Sequence, residues 1–145
     1  MSDTLTFVDA QKIYADWISQ FPEGYWSDEK ILAQLVEEVG EVAEWVLKQH
    51  PNGHEGLDYL RWKIFIEDVI ELSKRARILL GKPTKNRGGT PDDLKSELAD
   101  ILIPILSFSN KKEFSLGEAV KQMFEKKLFG RDNDRFKRKD EESGR

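Results

Sequence analysis

Cysteine is absent from the sequence, which excludes disulfides, thiolate zinc sites and cysteine nucleophiles together. Histidine is nearly absent: His50 and His54 share a segment with Pro51 and Gly53. That segment is a turn, not the helix on which a His-x-x-x-His zinc pair is built. The same scarcity removes a di-iron carboxylate bundle, which needs a Glu-x-x-His pair from each of two helices. An excess of basic charge is missing as well, since 23 Lys and Arg stand against 27 Asp and Glu for a net charge of -4. A face for duplex nucleic acid is therefore not expected. No glycine-rich phosphate loop is present, so an anionic ligand would be met by side chains and a bridging cation. No stretch reaches the roughly 20 apolar residues of a membrane span, and Met1 to Phe7 lacks a basic segment leading into an apolar run. These absences read as a soluble, untargeted, cytoplasmic protein with no membrane partner.

What the chain does contain is helical periodicity. With 145 residues, 39% of them apolar, it can bury one core, and one domain over 1–130 is expected, followed by a polar tail over 131–145. Thr6 with Asp9 opens a first helix, in which Ala10, Ile13, Tyr14, Trp17, Ile18 and Phe21 recur at helical spacing. Ser27 caps a second, with Asp28 and Glu29 in its first turn and a stripe from Ile31 through Leu35, Val39 and Ala43 to Leu47 predicted as buried. A third apolar-periodic run spans about Leu57 to Leu80, with Gly81 as C-cap and Pro83 beyond. Thr90, Pro91 and Asp93 start a fourth helix reaching Phe108. Ser115 and Glu118 open a last one, through Leu128. Neither strand alternation nor a repeat is evident, so the fold class is all-α, a bundle of four to five helices.

Carboxylates carry the chemistry. Glu37, Glu38 and Glu41 fall within one turn of the second helix, and Glu97 and Asp100 repeat the i,i+3 spacing on the fourth. Two helices can thus aim hard oxygen ligands at one point, a donor set that suits magnesium or manganese. The alternative is a solvated acidic face, but such a face places Lys or Arg three or four residues away, and none of these five has one. Their repulsion stays uncompensated unless a cation or a distant side chain arrives. Glu67, Asp68 and Glu71 on the third helix have the same spacing and do have local partners, Lys63 before and Lys74 and Arg75 after. They read as an ordinary charged face.

The run Leu35-Val36-Glu37-Glu38-Val39-Gly40-Glu41-Val42-Ala43-Glu44, followed by Glu97-Leu98-Ala99-Asp100-Ile101-Leu102, resembles the two half-motifs of the MazG-type nucleotide pyrophosphohydrolases. The resemblance extends over roughly Trp17 to Phe136. It implies an all-α fold, a homodimer or homotetramer, and hydrolysis of a nucleoside triphosphate between its α and β phosphates. Magnesium, or manganese in its place, would be held by Glu38, Glu41, Glu97 and Asp100. Glu37 would orient or deprotonate the attacking water. Basic side chains late in the chain would meet phosphates, with Lys126, Lys127, Arg131 and Arg135 in that region. One departure stands out: 55 residues separate Glu41 from Glu97, more than the family's usual spacing, so the third helix reads as an insertion. Glu67, Asp68 and Glu71 are an alternative first half-motif at a more usual distance.

Trp17, Phe21, Tyr25 and Trp26 supply much ring surface in a short stretch. Trp17 is a candidate to stack on a base, against the simpler role of core residue. Two further functional classes stay open. One is a non-catalytic helical interaction protein that retains a cation site. The other is a hydrolase of a related nucleotide phosphoanhydride.

Overall fold

The computed structural model describes residues 4–83, 88–131 and 134. Among them are five α-helices and no strand: α1 (Phe7–Ile18), α2 (Asp28–Gln49), α3 (Tyr59–Leu79), α4 (Pro91–Lys111) and α5 (Leu116–Met123), the last continued by a π-helical stretch over Phe124–Arg131. The helix starts follow the capping chemistry. Thr6 and Thr90 each form a reciprocal capping box with Asp9 and Asp93, and Ser27 accepts from the Lys30 amide. The ends differ from the periodicity. α1 stops at Ile18, short of Phe21, because the chain turns at Gln20 and Phe21. α4 continues past Phe108 with Pro104 buried inside it.

α2 packs on both α3 and α4, and α1 packs on α4 and α5. Contacts at both ends show that α2 and α4 run antiparallel. Asp28, the first residue of α2, pairs with Lys111 and Lys112 at 2.7 and 2.8 Å. Toward the other end, the Trp45 indole donates to the Thr90 carbonyl and Gln49 to Gly89. This register sets Glu38 and Glu41 opposite Glu97 and Asp100. α1 is fixed to α4 in the same way, through Tyr14 and Ser107 and through Gln11 with Ser109 and Asn110.

The predicted apolar stripe of α2 is displaced. Ile31 and Ala43 are buried, but so are Glu37, Glu38, Gly40 and Glu41, whereas Leu32 and Val39 face outward. Helical spacing alone does not say which side of a wide stripe meets the neighbouring helices, and here α3 and α4 flank the acidic side. Gly40 permits the close approach of α3: a Cβ there would lie 1.9 Å from that of Ser73. Ser73 in turn donates its hydroxyl hydrogen bond to the Glu37 carbonyl at 2.9 Å.

Candidate metal centre

The four carboxylates of Glu38, Glu41, Glu97 and Asp100 each offer an oxygen within 4.8 Å of all the others. Glu38, Glu41 and Glu97 are buried and Asp100 is half-buried. Burial of like charges at that density is unfavourable without compensation. Burial pushes the Glu38 carboxyl up to about 7, helped by the charge of Glu37, a hydrogen bond with Glu37 and the charge of Asp100, and opposed by Lys82. Its Oε2 is buried and accepts no hydrogen bond. A hard oxygen donor set with an unsatisfied buried acceptor fits a divalent cation of the magnesium or manganese type.

Glu37, only 1% exposed, is held differently. Arg77 donates from Nη1 to both Glu37 Oε1 and Glu41 Oε1, the latter at 3.1 Å. Lys82 Nζ donates to Glu37 Oε2 at 2.8 Å and lies 3.8 Å from Glu38 Oε1. Both cations come from the end of α3. Arg77 is in its last turn, and Lys82 follows the cap. The Gly81 amide bonds the Ile78 carbonyl and the Lys82 amide bonds the Arg77 carbonyl, with Gly81 at φ 68°. This is the pairing of a Schellman motif, which needs a left-handed residue. It folds Lys82 back beside Arg77, whose Nε also donates to the Pro83 carbonyl.

Among the described residues, Arg77 and Lys82 are distant side chains that meet the α2 acids. Sequence spacing along one helix cannot reveal a partner 36 to 45 positions away. A weaker signal was present: Ser73 and Ala76, small and buried, mark the α3 face that approaches Gly40, and Arg77 is Ser73's i+4 neighbour on that face.

Glu67, Asp68 and Glu71 are exposed and stand outside the carboxylate cluster. Glu71 pairs locally with Arg75 at 3.6 Å. Trp17 is not a core residue, since it is 51% exposed: α1 has no buried residue, and the Trp17 ring stacks on Tyr14 and meets Phe21 edge-on. These rings, with Tyr25, Trp26, Gln34, Ile103 and Ser107, line a cleft of about 540 Å³. Gln34 precedes Glu38 by one helical turn and Ile103 follows Asp100 by nearly one, so the cleft opens beside the carboxylates. Lys127 and Arg131 are exposed on the π-helical stretch, which packs on α5 and is not among the elements packed closely on α2 or α4. Arg135 lies outside the described residues.

An acidic centre that fits a divalent cation, beside an aromatic cleft, is suited to gripping a polyanion with an attached ring. The family model of the MazG nucleotide pyrophosphohydrolase domain matches residues 26–136, which include all five acids and both cations. Uncharacterized protein YpjD of Bacillus subtilis (strain 168) is 32% identical over 143 residues, covering 97% of this chain and 98% of that one, so its likeness takes in α1 and Trp17 as well. No solved structure matches the chain. With the family match spanning both acidic half-motifs on an all-helical fold, the chain belongs to the MazG nucleotide pyrophosphohydrolase domain family.

Proposed function

We propose that the protein is a magnesium-dependent nucleoside triphosphate pyrophosphohydrolase, with manganese able to replace magnesium. It cleaves between the α and β phosphates to release a nucleoside or deoxynucleoside monophosphate and pyrophosphate. The observation that carries this reading is the convergence of Glu38, Glu41, Glu97 and Asp100 within 4.8 Å, beside a cleft walled by aromatic rings.

In this reading Glu38, Glu41, Glu97 and Asp100 hold the cation. A bound divalent cation neutralises charge that grows on the phosphates and makes a nearby water more acidic. Glu37 orients or deprotonates that water. Its backbone is pinned by Ser73 and its Oε1 by Arg77, so its second oxygen has one defined direction. Trp17 offers its exposed ring to the base, a contact typically worth roughly 1–3 kcal/mol. Lys127, Arg131 and Arg135 are assigned to phosphates on the family resemblance, and Lys82, which bonds Glu37 at the centre, is a further cation for the same anion. Large apolar residues on α3 stand exposed, Leu60, Ile64, Phe65, Leu72, Ile78 and Leu79 among them. This supports a homodimer or homotetramer in which they are covered. No helix among the described residues is long and apolar enough to cross a membrane, which is compatible with work on a cytoplasmic nucleotide pool.

The test is product chromatography with each common ribo and deoxyribo triphosphate. Monophosphate and pyrophosphate are expected with magnesium or manganese, and little turnover with calcium, whose looser shell orders water and phosphate less tightly. Diphosphate and phosphate as products, or full turnover in excess chelator, would overturn the reading. Hydrolysis confined to another nucleotide phosphoanhydride would keep the metal centre and change the substrate.

A further inference from the structure

Among the described residues, Arg77 and Lys82 reach the acidic centre, and they are held in different ways. The Arg77 guanidinium is fixed by three acceptors, Glu37, Glu41 and the Pro83 carbonyl, and its side chain is 16% exposed. Lys82 has the Glu37 carboxylate as its hydrogen-bond acceptor and lies 3.8 Å from Glu38, with its side chain 30% exposed on the rim. A planar fork gripped from several sides is a fixture, whereas a compact ammonium on a four-carbon stem moves at little cost. Lys82 also occupies contested ground. It faces Glu38, one of the four converging carboxylates, whose Oε2 is buried without a partner.

An ammonium and a divalent cation on the same carboxylate repel each other at these distances. We propose that Lys82 is a placeholder cation: it neutralises Glu37 and Glu38 while the centre is empty, withdraws when a divalent ion binds, and then grips the substrate's polyphosphate. Arg77 stays behind as the positioning residue for Glu37 and Glu41. Withdrawal of Lys82 takes its hydrogen bond away from Glu37 Oε2. The Schellman turn at Gly81 makes this possible, because it places Lys82 over the acids by its backbone while leaving the side chain on the surface.

This inference rests on the metal-dependent reading above, and the two fail in different ways. The experiment is calorimetric titration of manganese alone into wild type, Lys82→Gln and Lys82→Arg, then titration of a non-hydrolysable triphosphate at saturating manganese. Loss of the placeholder is expected to tighten manganese binding in Lys82→Gln by about three- to tenfold and to weaken triphosphate binding by about tenfold, with Lys82→Arg near wild type for the triphosphate. A residue with only a structural role would weaken both together. Wild type that binds manganese, with Lys82→Gln binding it equally or less tightly, overturns the placeholder alone. Wild type that binds no manganese overturns the metal centre and the placeholder with it.

Discussion

Glu37, Glu38 and Glu41 on α2 and Glu67, Asp68 and Glu71 on α3 repeat one local spacing, yet the first three are buried and the second three exposed. The exposed set has a neighbour on its own helix, with Arg75 3.6 Å from Glu71 and both side chains well solvated. Among the described residues, the buried set meets Arg77 and Lys82 at the far end of another helix, which bond Glu37 and Glu41. Local spacing therefore says little about a cluster's role. What separates the two is whether neutralisation comes from a residue one turn away on the same helix or from residues far along the chain.

The largest effect that would break this comparison lies in the converging acids. Glu41→Gln or Glu97→Gln keeps size and helix propensity but removes a charged ligand, so magnesium-dependent turnover is expected to fall by about 10- to 100-fold or more. Steady-state rates at saturating magnesium measure it. A loss of less than threefold in both variants would separate the cluster from the chemistry.

Within the buried set, neighbours are expected to diverge in stability. Glu37→Gln leaves Arg77 and Lys82 facing a neutral amide and is expected to destabilise the metal-free protein by about 2 kcal/mol. Glu38→Gln relieves a crowded carboxylate and is expected to leave that stability unchanged or raise it. Denaturant titration in chelator distinguishes the two, and equal losses would show that Arg77 does not tell them apart. Gly40→Ala tests the geometry beneath: with a Cβ 1.9 Å from that of Ser73, α3 must shift, at about 1–3 kcal/mol. The shift would also loosen Arg77 from Glu37.

Glu38 makes the comparison depend on pH. Folding raises its carboxyl from the ordinary 4.5 to about 7, so between these values the folded chain holds a proton that the unfolded chain has released. This contribution to stability is full below about pH 4.5 and is lost as pH rises through about 7. Manganese must displace the same proton, so its affinity is expected to rise with pH by up to tenfold per unit below about 7 and then level off. Thermal melts in chelator and metal titrations across pH 5 to 8 check both slopes. In Glu38→Gln both are expected to flatten.

The fold was largely legible in the sequence because its signals are local. Thr6 with Asp9, Ser27, and Thr90 with Pro91 and Asp93 cap helices through residues three positions apart. That acids of α2 and α4 could converge was legible too, since repulsion without a local partner is visible in the spacing, whereas singling out Glu38, Glu41, Glu97 and Asp100 rested on the family resemblance. Arg77 and Lys82 were not, because their role depends on how α3 crosses α2 at Gly40 and Ser73, a tertiary fact. The displaced stripe of α2 has the same origin. Leu32 and Val39 sit at helical spacing with Leu35, Val36 and Ala43, and only the packing of α3 and α4 decides which of them turns inward.

The smallest expected effect is in the exposed set: Glu71→Gln removes a solvated i,i+4 pair and is expected to lower stability by about 0.3–0.5 kcal/mol and leave turnover within twofold. Setting it beside Glu41→Gln gives the most direct measurement, a count of bound manganese by electron paramagnetic resonance for wild type, Glu41→Gln and Glu71→Gln at one metal concentration. The account predicts manganese bound equally by wild type and Glu71→Gln and largely lost in Glu41→Gln. Manganese lost in Glu71→Gln and retained in Glu41→Gln would contradict it, and would make the α3 acids the first half of the motif.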